Sequence, residues 1–163
     1  INFLLQFQNK ITIGINLEGA VKGKRITPDK LEVICTALYQ ANKDVQIVLL
    51  SSPETYEDII RLSKNMELPY VFSSYKTESI LDVGALIQNL QLVITPDTSI
   101  VHIASAFNVP VISIHENNND SYRLFAPKSQ YSKTVFSQSV KGIDGYSVSE
   151  LIRYSDELIS RVN

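Results

Sequence analysis

The chain has 163 residues and a formal net charge of −2, with 15 Lys and Arg against 17 Asp and Glu. That length supports one α/β domain with a proper core, and nucleic-acid binders are usually basic, so no nucleic-acid partner is expected. No apolar run approaches the roughly 18 residues of a membrane span, and Cys35 as the sole cysteine excludes intrachain disulfides.

The one methionine is Met66, so Ile1 is not a translation start. Residues 1–5 are apolar but too short for a secretory signal, and no cleavage site follows. Residues 1–163 are therefore expected to be one domain excised from a longer protein, with removal of a leader as the alternative.

Residues 11–17 read as a first buried strand, followed by a loop with Gly19, Lys22, Gly23, Lys24 and Arg25. Thr27, Pro28 and Asp29 form a helix start, a cap followed by proline and an acid. Leu31, Ile34, Cys35 and Leu38 give that helix its apolar face, and Cys35 reads as a buried structural thiol. A second strand over 45–50 leads to a second helix start at Ser52, Pro53 and Glu54, with Ile59, Ile60 and Leu62 inside. A short strand at 69–72 precedes a helix from Ser79 to Asn89 that is apolar at Ile80, Val83, Leu86 and Ile87. The apolar run 92–94, a loop from Thr95 to Ser99, a helix through Phe107 and a β-branched run at 109–114 form a strand–loop–helix–strand unit. Residues 116–133 are polar without clear periodicity and read as a long surface loop; Val135 and Phe136 read as a last short strand. Ser147 and Glu150 have capping-box spacing. The helix they open carries Val148, Leu151, Ile152, Ser155, Leu158, Ile159 and Val162 on one stripe. Strands alternating with helices predict an α/β fold, with a doubly wound, mostly parallel, Rossmann-like sheet and helices on both faces.

In such a sheet the loops after the strands open on one edge, where ligands sit. That edge gathers Lys22, Lys24 and Arg25; Ser52 to Glu54; Asp97, Thr98, Ser99 and His102; and His115 to Asn119. Cations facing a helix N-terminus, with an acid nearby, suit a nucleoside diphosphate. Plainer readings stand beside this one. The basic residues can be a solvated loop, Glu54 a complement to the helix dipole, Asp97 and Thr98 simple caps, and His102 a core histidine. The Asp97 carboxylate cannot face a diphosphate, and is expected to accept from loop N–H groups or from His102. Metal-ligand spacing, a Walker-type loop and a G-x-G-x-x-G loop are absent from the sequence.

Asp97-Thr98-Ser99-Ile100-Val101-His102-Ile103-Ala104-Ser105-Ala106, followed by Pro110, resembles the D-[ST]-G-x-x-H-x-x-A-A motif of glycosyltransferase family 9, the lipopolysaccharide heptosyltransferases. Lys24-Arg25-Ile26-Thr27-Pro28 resembles the family's Lys-[His/Arg]-Trp-Pro element. Glu54, or Glu57 close behind it, resembles the ribose-binding glutamate. The likeness extends over roughly residues 11–115. Three departures leave the donor's identity open: Ser99 replaces the motif glycine, Ile26 replaces the tryptophan, and His115-Glu116-Asn117-Asn118 replaces an aromatic-Gly-Pro-Thr run.

The resemblance implies the C-terminal half of a two-domain GT-B fold, which binds a nucleotide sugar, commonly ADP-heptose. The donor-binding residues it implies are Lys24, Glu54, Asp97, Thr98, Ser99 and His102. Lys24, Thr98 and Ser99 would neutralise the departing diphosphate. An N-terminal half would hold the lipopolysaccharide-core acceptor and the general base, so no catalytic residue is expected in this chain beyond phosphate stabilisation by Lys24. No metal or other cofactor is expected. An inverting glycosyltransferase of this kind works in the cytoplasm at the inner-membrane face, with peripheral membrane contact. Two rivals remain: a nucleotide-sugar epimerase of GT-B architecture, and a non-catalytic module that binds a nucleotide or a partner.

Overall fold

Six strands, the central four buried along nearly their whole length, build the sheet: β1 (Ile11–Asn16), β2 (Val45–Leu50), β3 (Val71–Ser73), β4 (Leu92–Pro96), β5 (Val111–His115) and β6 (Ser132–Phe136). The computed structural model describes residues 2–19, 21 and 23–161; Lys22 and Val162, both named above, lie outside the described residues. The strand order is β3-β2-β1-β4-β5-β6, and every pairing is parallel. The mostly parallel expectation thus becomes wholly parallel in the described sheet. The helices are α1 (Pro28–Ala41), α2 (Tyr56–Asn65), α3 (Ile80–Ile87), α4 (Ser99–Ala106), α5 (Asn119–Phe125) and α6 (Val148–Ile159), with a 3-10 turn at Asn2–Phe7.

Successive strand residues point to opposite faces, so the sheet divides its apolar residues between two cores. Ile13, Ile15, Ile47, Leu49, Leu92, Ile94, Ile112 and Ile114 meet α1 and α6 on one face. Val48, Leu50, Val93 and Val111 meet α3, α4 and Phe7 on the other. The register locks this division in the centre, where Ile13 pairs with Leu92 and Ile15 with Ile94; a one-residue slip would send every side chain to the wrong face. Each fully buried Ile or Leu contributes roughly 1.5–3 kcal/mol. Cys35 is fully buried on α1 among these residues, and burial pushes its thiol pKa up to about 12. It is a packing residue, as expected.

Several local expectations are revised. The second helix starts at Tyr56, because Ser52 and Thr55 close a turn on each other first: Ser52 N–H donates to Thr55 Oγ1 (3.0 Å) and Thr55 N–H to the Ser52 carbonyl (3.2 Å). Ile60 is only half-buried, and Ile80 is exposed. The third helix has the capping box, with Ser79 and Asp82 each accepting from the other's backbone. At α6, Ser147 accepts from Glu150 N–H as expected, while the Glu150 carboxylate accepts from Tyr154 Oη (3.0 Å). The supposed loop 116–133 contains α5, seven residues capped by Asn118 with none buried; so short and exposed a helix leaves no apolar period to read. Edge strand β6 starts at Ser132, three residues before the expected Val135; its first three residues are only half-buried, so no apolar run announces it.

Candidate functional site

All six strands being parallel, their C-terminal ends share one edge. At its centre β1 and β4 are neighbours whose following helices, α1 and α4, pack on opposite faces. This is the switch point where a crevice forms. Asn16, ending β1, ties the two strands together there. Its Nδ2 donates to Thr95 Oγ1 (3.0 Å) and to the Glu18 carbonyl (2.8 Å).

The cleft beside it has a volume of about 670 Å³. Asn16, Ser51, Ser52 and Thr55 give it polar walls, and Leu50, Ile80, Val83 and Ile100 give it apolar ones. Thr98 and Ser99 bring in the start of α4. Thr98 is the cap: its Oγ1 accepts from Ile100 N–H (3.2 Å). Ser99, the first helical residue, carries an N–H that geometry leaves without an intrahelical acceptor. A free N–H and the positive end of the helix dipole at a cleft suit an anion.

A cluster of ionisable groups lies against the same loop. Lys24 Nζ stands 3.6 Å from Asp97 Oδ2 and 3.4 Å from Glu116 Oε1, and all three side chains are about one-eighth exposed. Gly19 shapes the loop that delivers Lys24. A Cβ there would fall 1.9 Å from the Lys24 carbonyl oxygen, so only glycine permits the approach. His115 completes the cluster, with Nδ1 3.9 Å from Asp97 Oδ2. Its ring is fully buried and neither ring nitrogen has a partner among the described residues. Burial pushes the His115 pKa below its ordinary 6.5; Asp97 opposes that shift and Lys24 reinforces it. The imidazole is therefore neutral at pH 7.

The structure separates the residues named from the sequence. Thr98 and Ser99 line the cleft, while Lys24 and Asp97 sit in the adjoining ion cluster. The Asp97 carboxylate faces Lys24 and His115, whereas the expected partners were the loop N–H groups or His102. Arg25 turns away to Glu18 (3.2 Å). His102 is exposed, because Val101 and Ala104 take the sheet-facing side of α4 and each helical residue turns about 100° from the last. The buried histidine is His115. Glu54 is exposed and does not line the cleft; the Ser52 hydroxyl, which does, holds its pKa below the ordinary carboxylate value. Glu57 is also exposed, on the first turn of α2.

Four residues take places that the sequence reading did not give them. Asn16 stood only inside the strand read over 11–17, although an amide at that point of a buried parallel strand is itself a signal. Glu116 was placed at the sheet edge only as part of the His115–Asn119 stretch, with no partner assigned. Glu78 and Ile80 line the cleft from the start of the third helix. Among the described residues, no three His, Cys, Asp or Glu side chains gather as a metal site.

The sequence profile of glycosyltransferase family 9 (heptosyltransferase) matches residues 6–141. No curated protein sequence matches the chain. Among solved structures, the glycosyltransferase family 9 protein from Veillonella parvula is 18% identical with a TM-score of 0.78; the match covers 98% of this chain and 50% of that one. The E. coli ADP-heptose lipopolysaccharide heptosyltransferase II is 18% identical with a TM-score of 0.74, over 98% and 50%. The E. coli heptosyltransferase WaaC with ADP is 16% identical with a TM-score of 0.76, over 96% and 47%. The chain thus spans about half the length of each. At these identities the structures establish a shared fold, and the profile, matching most of the sequence, establishes the lineage: the chain belongs to glycosyltransferase family 9, the heptosyltransferase family.

Proposed function

We propose that this chain is the donor-binding half of an inverting, heptosyltransferase-like glycosyltransferase of lipopolysaccharide biosynthesis. The observation that carries the reading is the start of α4. Thr98 and Ser99, the cap and first residue of α4, line the cleft at the β1/β4 switch point, and Asp97, which directly precedes them, pairs with the Lys24 ammonium. In this reading the nucleoside lies along the apolar wall of Ile80, Val83 and Ile100, with its ribose toward Ser52 and Glu54. The diphosphate meets the Thr98–Ser99 turn and Lys24. His102, one turn along α4, faces the part of the donor that leaves the cleft. Asp97 positions Lys24 and does not touch phosphate.

The chemistry assigned to the chain is electrostatic. When the sugar–phosphate bond breaks, negative charge grows on the departing diphosphate, and a preorganised N–H and ammonium stabilise it. These groups hold the phosphates without a metal ion. The acceptor, a lipopolysaccharide-core sugar, and the base that takes its proton belong to a further half of the protein, working in the cytoplasm at the inner-membrane face. The similarity to the E. coli ADP-heptose lipopolysaccharide heptosyltransferase II supports a nucleotide-sugar donor; among the described residues no helix is long and apolar enough to cross a membrane.

Calorimetric titration of ADP, UDP and GDP into the chain tests the reading. At least one is expected to bind, with the same affinity in EDTA as in magnesium, and no sugar transfer is expected from this chain alone. Failure of all three to bind would overturn the proposal, and transfer activity by the chain itself would overturn the division of labour.

A further inference from the structure

The cluster holds one ammonium against two carboxylates, a net charge of −1 with His115 neutral. This is an unexpected balance beside a helix N-terminus that invites an anion. The two acids are not equivalent. Asp97 directly precedes the α4 cap, and its backbone N–H is fixed to the Ile114 carbonyl (3.1 Å). Glu116 lies just beyond β5. Its Oε1 faces Lys24 (3.4 Å) and its Oε2 accepts from Gly142 N–H (3.3 Å). That second contact gives it somewhere to remain if Lys24 is taken from it. The surrounding segment is tied to the Lys24 loop, because Ile143 N–H donates to the Gly23 carbonyl (3.2 Å) and Asn117 N–H to the Ser139 carbonyl (2.8 Å). Gly142 itself has φ +83, and a Cβ there would meet the Gly23 carbonyl oxygen at 2.9 Å.

We infer that Glu116 is the resident counterion of Lys24 and an affinity-setting residue of the donor site: its carboxylate occupies the position a donor phosphate needs, and binding must displace it. The inference rests on the donor-binding reading above. A phosphate would be a third negative group at one ammonium that already faces two carboxylates in a nearly buried site, and the added repulsion falls on Glu116, the carboxylate with a second contact to fall back on. The carboxylate therefore competes with the diphosphate whenever the site is empty, and keeps a buried lysine paired between turnovers. It acts through Lys24, so it is a positioning residue.

The test is calorimetry of ADP, UDP, GDP and adenosine against the wild type, Glu116→Gln, Lys24→Met and the double variant. Glutamine keeps the shape and can still accept from Gly142 N–H while losing the charge. Glu116→Gln is expected to tighten diphosphate binding about tenfold, the scale of one charge-assisted phosphate contact, and to leave adenosine unchanged. The gain should vanish on the Lys24→Met background. Thermal unfolding establishes the folded fraction of each variant, and Glu116→Ala, which also drops the Gly142 contact, should gain affinity in the same direction. Unchanged or weaker diphosphate binding by Glu116→Gln, beside a wild type that binds, overturns the inference and leaves the donor site standing. A gain that persists without Lys24 overturns it too, since the effect would then be general charge. Absence of nucleotide binding in every protein overturns both.

Discussion

Replacing Lys24 with methionine removes the ammonium and leaves Asp97 and Glu116 facing each other in a site where each is about one-eighth exposed. Coulomb's law at an effective dielectric of about 20 gives each contact, at 3.6 and 3.4 Å, roughly 4–5 kcal/mol before desolvation. Taking the ammonium out of water cancels most of that, so the pairing itself is worth little. Removing one partner is costlier, because the carboxylates are then uncompensated; a fully buried pair broken this way loses about 3–5 kcal/mol. With some exposure remaining, the expected loss of stability is about 2–3 kcal/mol, read from urea unfolding at pH 7. Diphosphate affinity should fall about tenfold or more while adenosine binding holds, since only the phosphates meet Lys24. A stability change under about 0.5 kcal/mol, together with equal losses for ADP and adenosine, would refute the reasoning and make Lys24 an ordinary surface charge.

Thr98→Ala removes the cap of α4 and should cost about 1 kcal/mol by denaturant unfolding, whereas a loss indistinguishable from zero would show that the cap bond contributes nothing. His115 is neutral when folded and its pKa lies below 6.5, so the unfolded chain binds the extra proton first. Its contribution to stability is complete above pH 6.5 and is lost as pH falls through the folded value; the unfolding midpoint should drop over that window, and His115→Gln should flatten the drop. Glu54→Ala should erase the preference for ADP over its 2′,3′-dideoxy counterpart if the carboxylate takes the ribose hydroxyls; if Glu78→Ala does so instead, the role moves to the third helix.

The fold was legible in the sequence because the signals are local and strong. Continuous β-branched runs mark the buried strands, and Thr27-Pro28-Asp29 and the Ser79 cap mark where helices start. What failed was weak in the same terms. The seven residues of α5 bury nothing, and β6 lies at the sheet edge without an apolar run. Ser52 and Thr55 also spend a turn on each other before α2 begins.

The candidate site's layout was legible in part. The Asp97–Ser99 loop and Lys24 were visible because a strand end, a helix cap and a basic loop each carry a residue pattern. The partner of Lys24 was not, because Glu116 reaches it across the sheet edge from a segment with no pattern of its own. The exchange of roles between the histidines had the same origin. His102 sits among apolar letters yet falls on the outer side of α4, whereas His115 ends a strand buried on both faces.

The most direct measurement is a backbone-amide NMR titration of the chain with whichever nucleoside diphosphate binds. The donor-site reading predicts saturable shifts that are largest at the amides of Thr98, Ser99 and Ile100, with smaller ones at Lys24 and Gly142. Saturable shifts elsewhere, with the start of α4 silent, would contradict it.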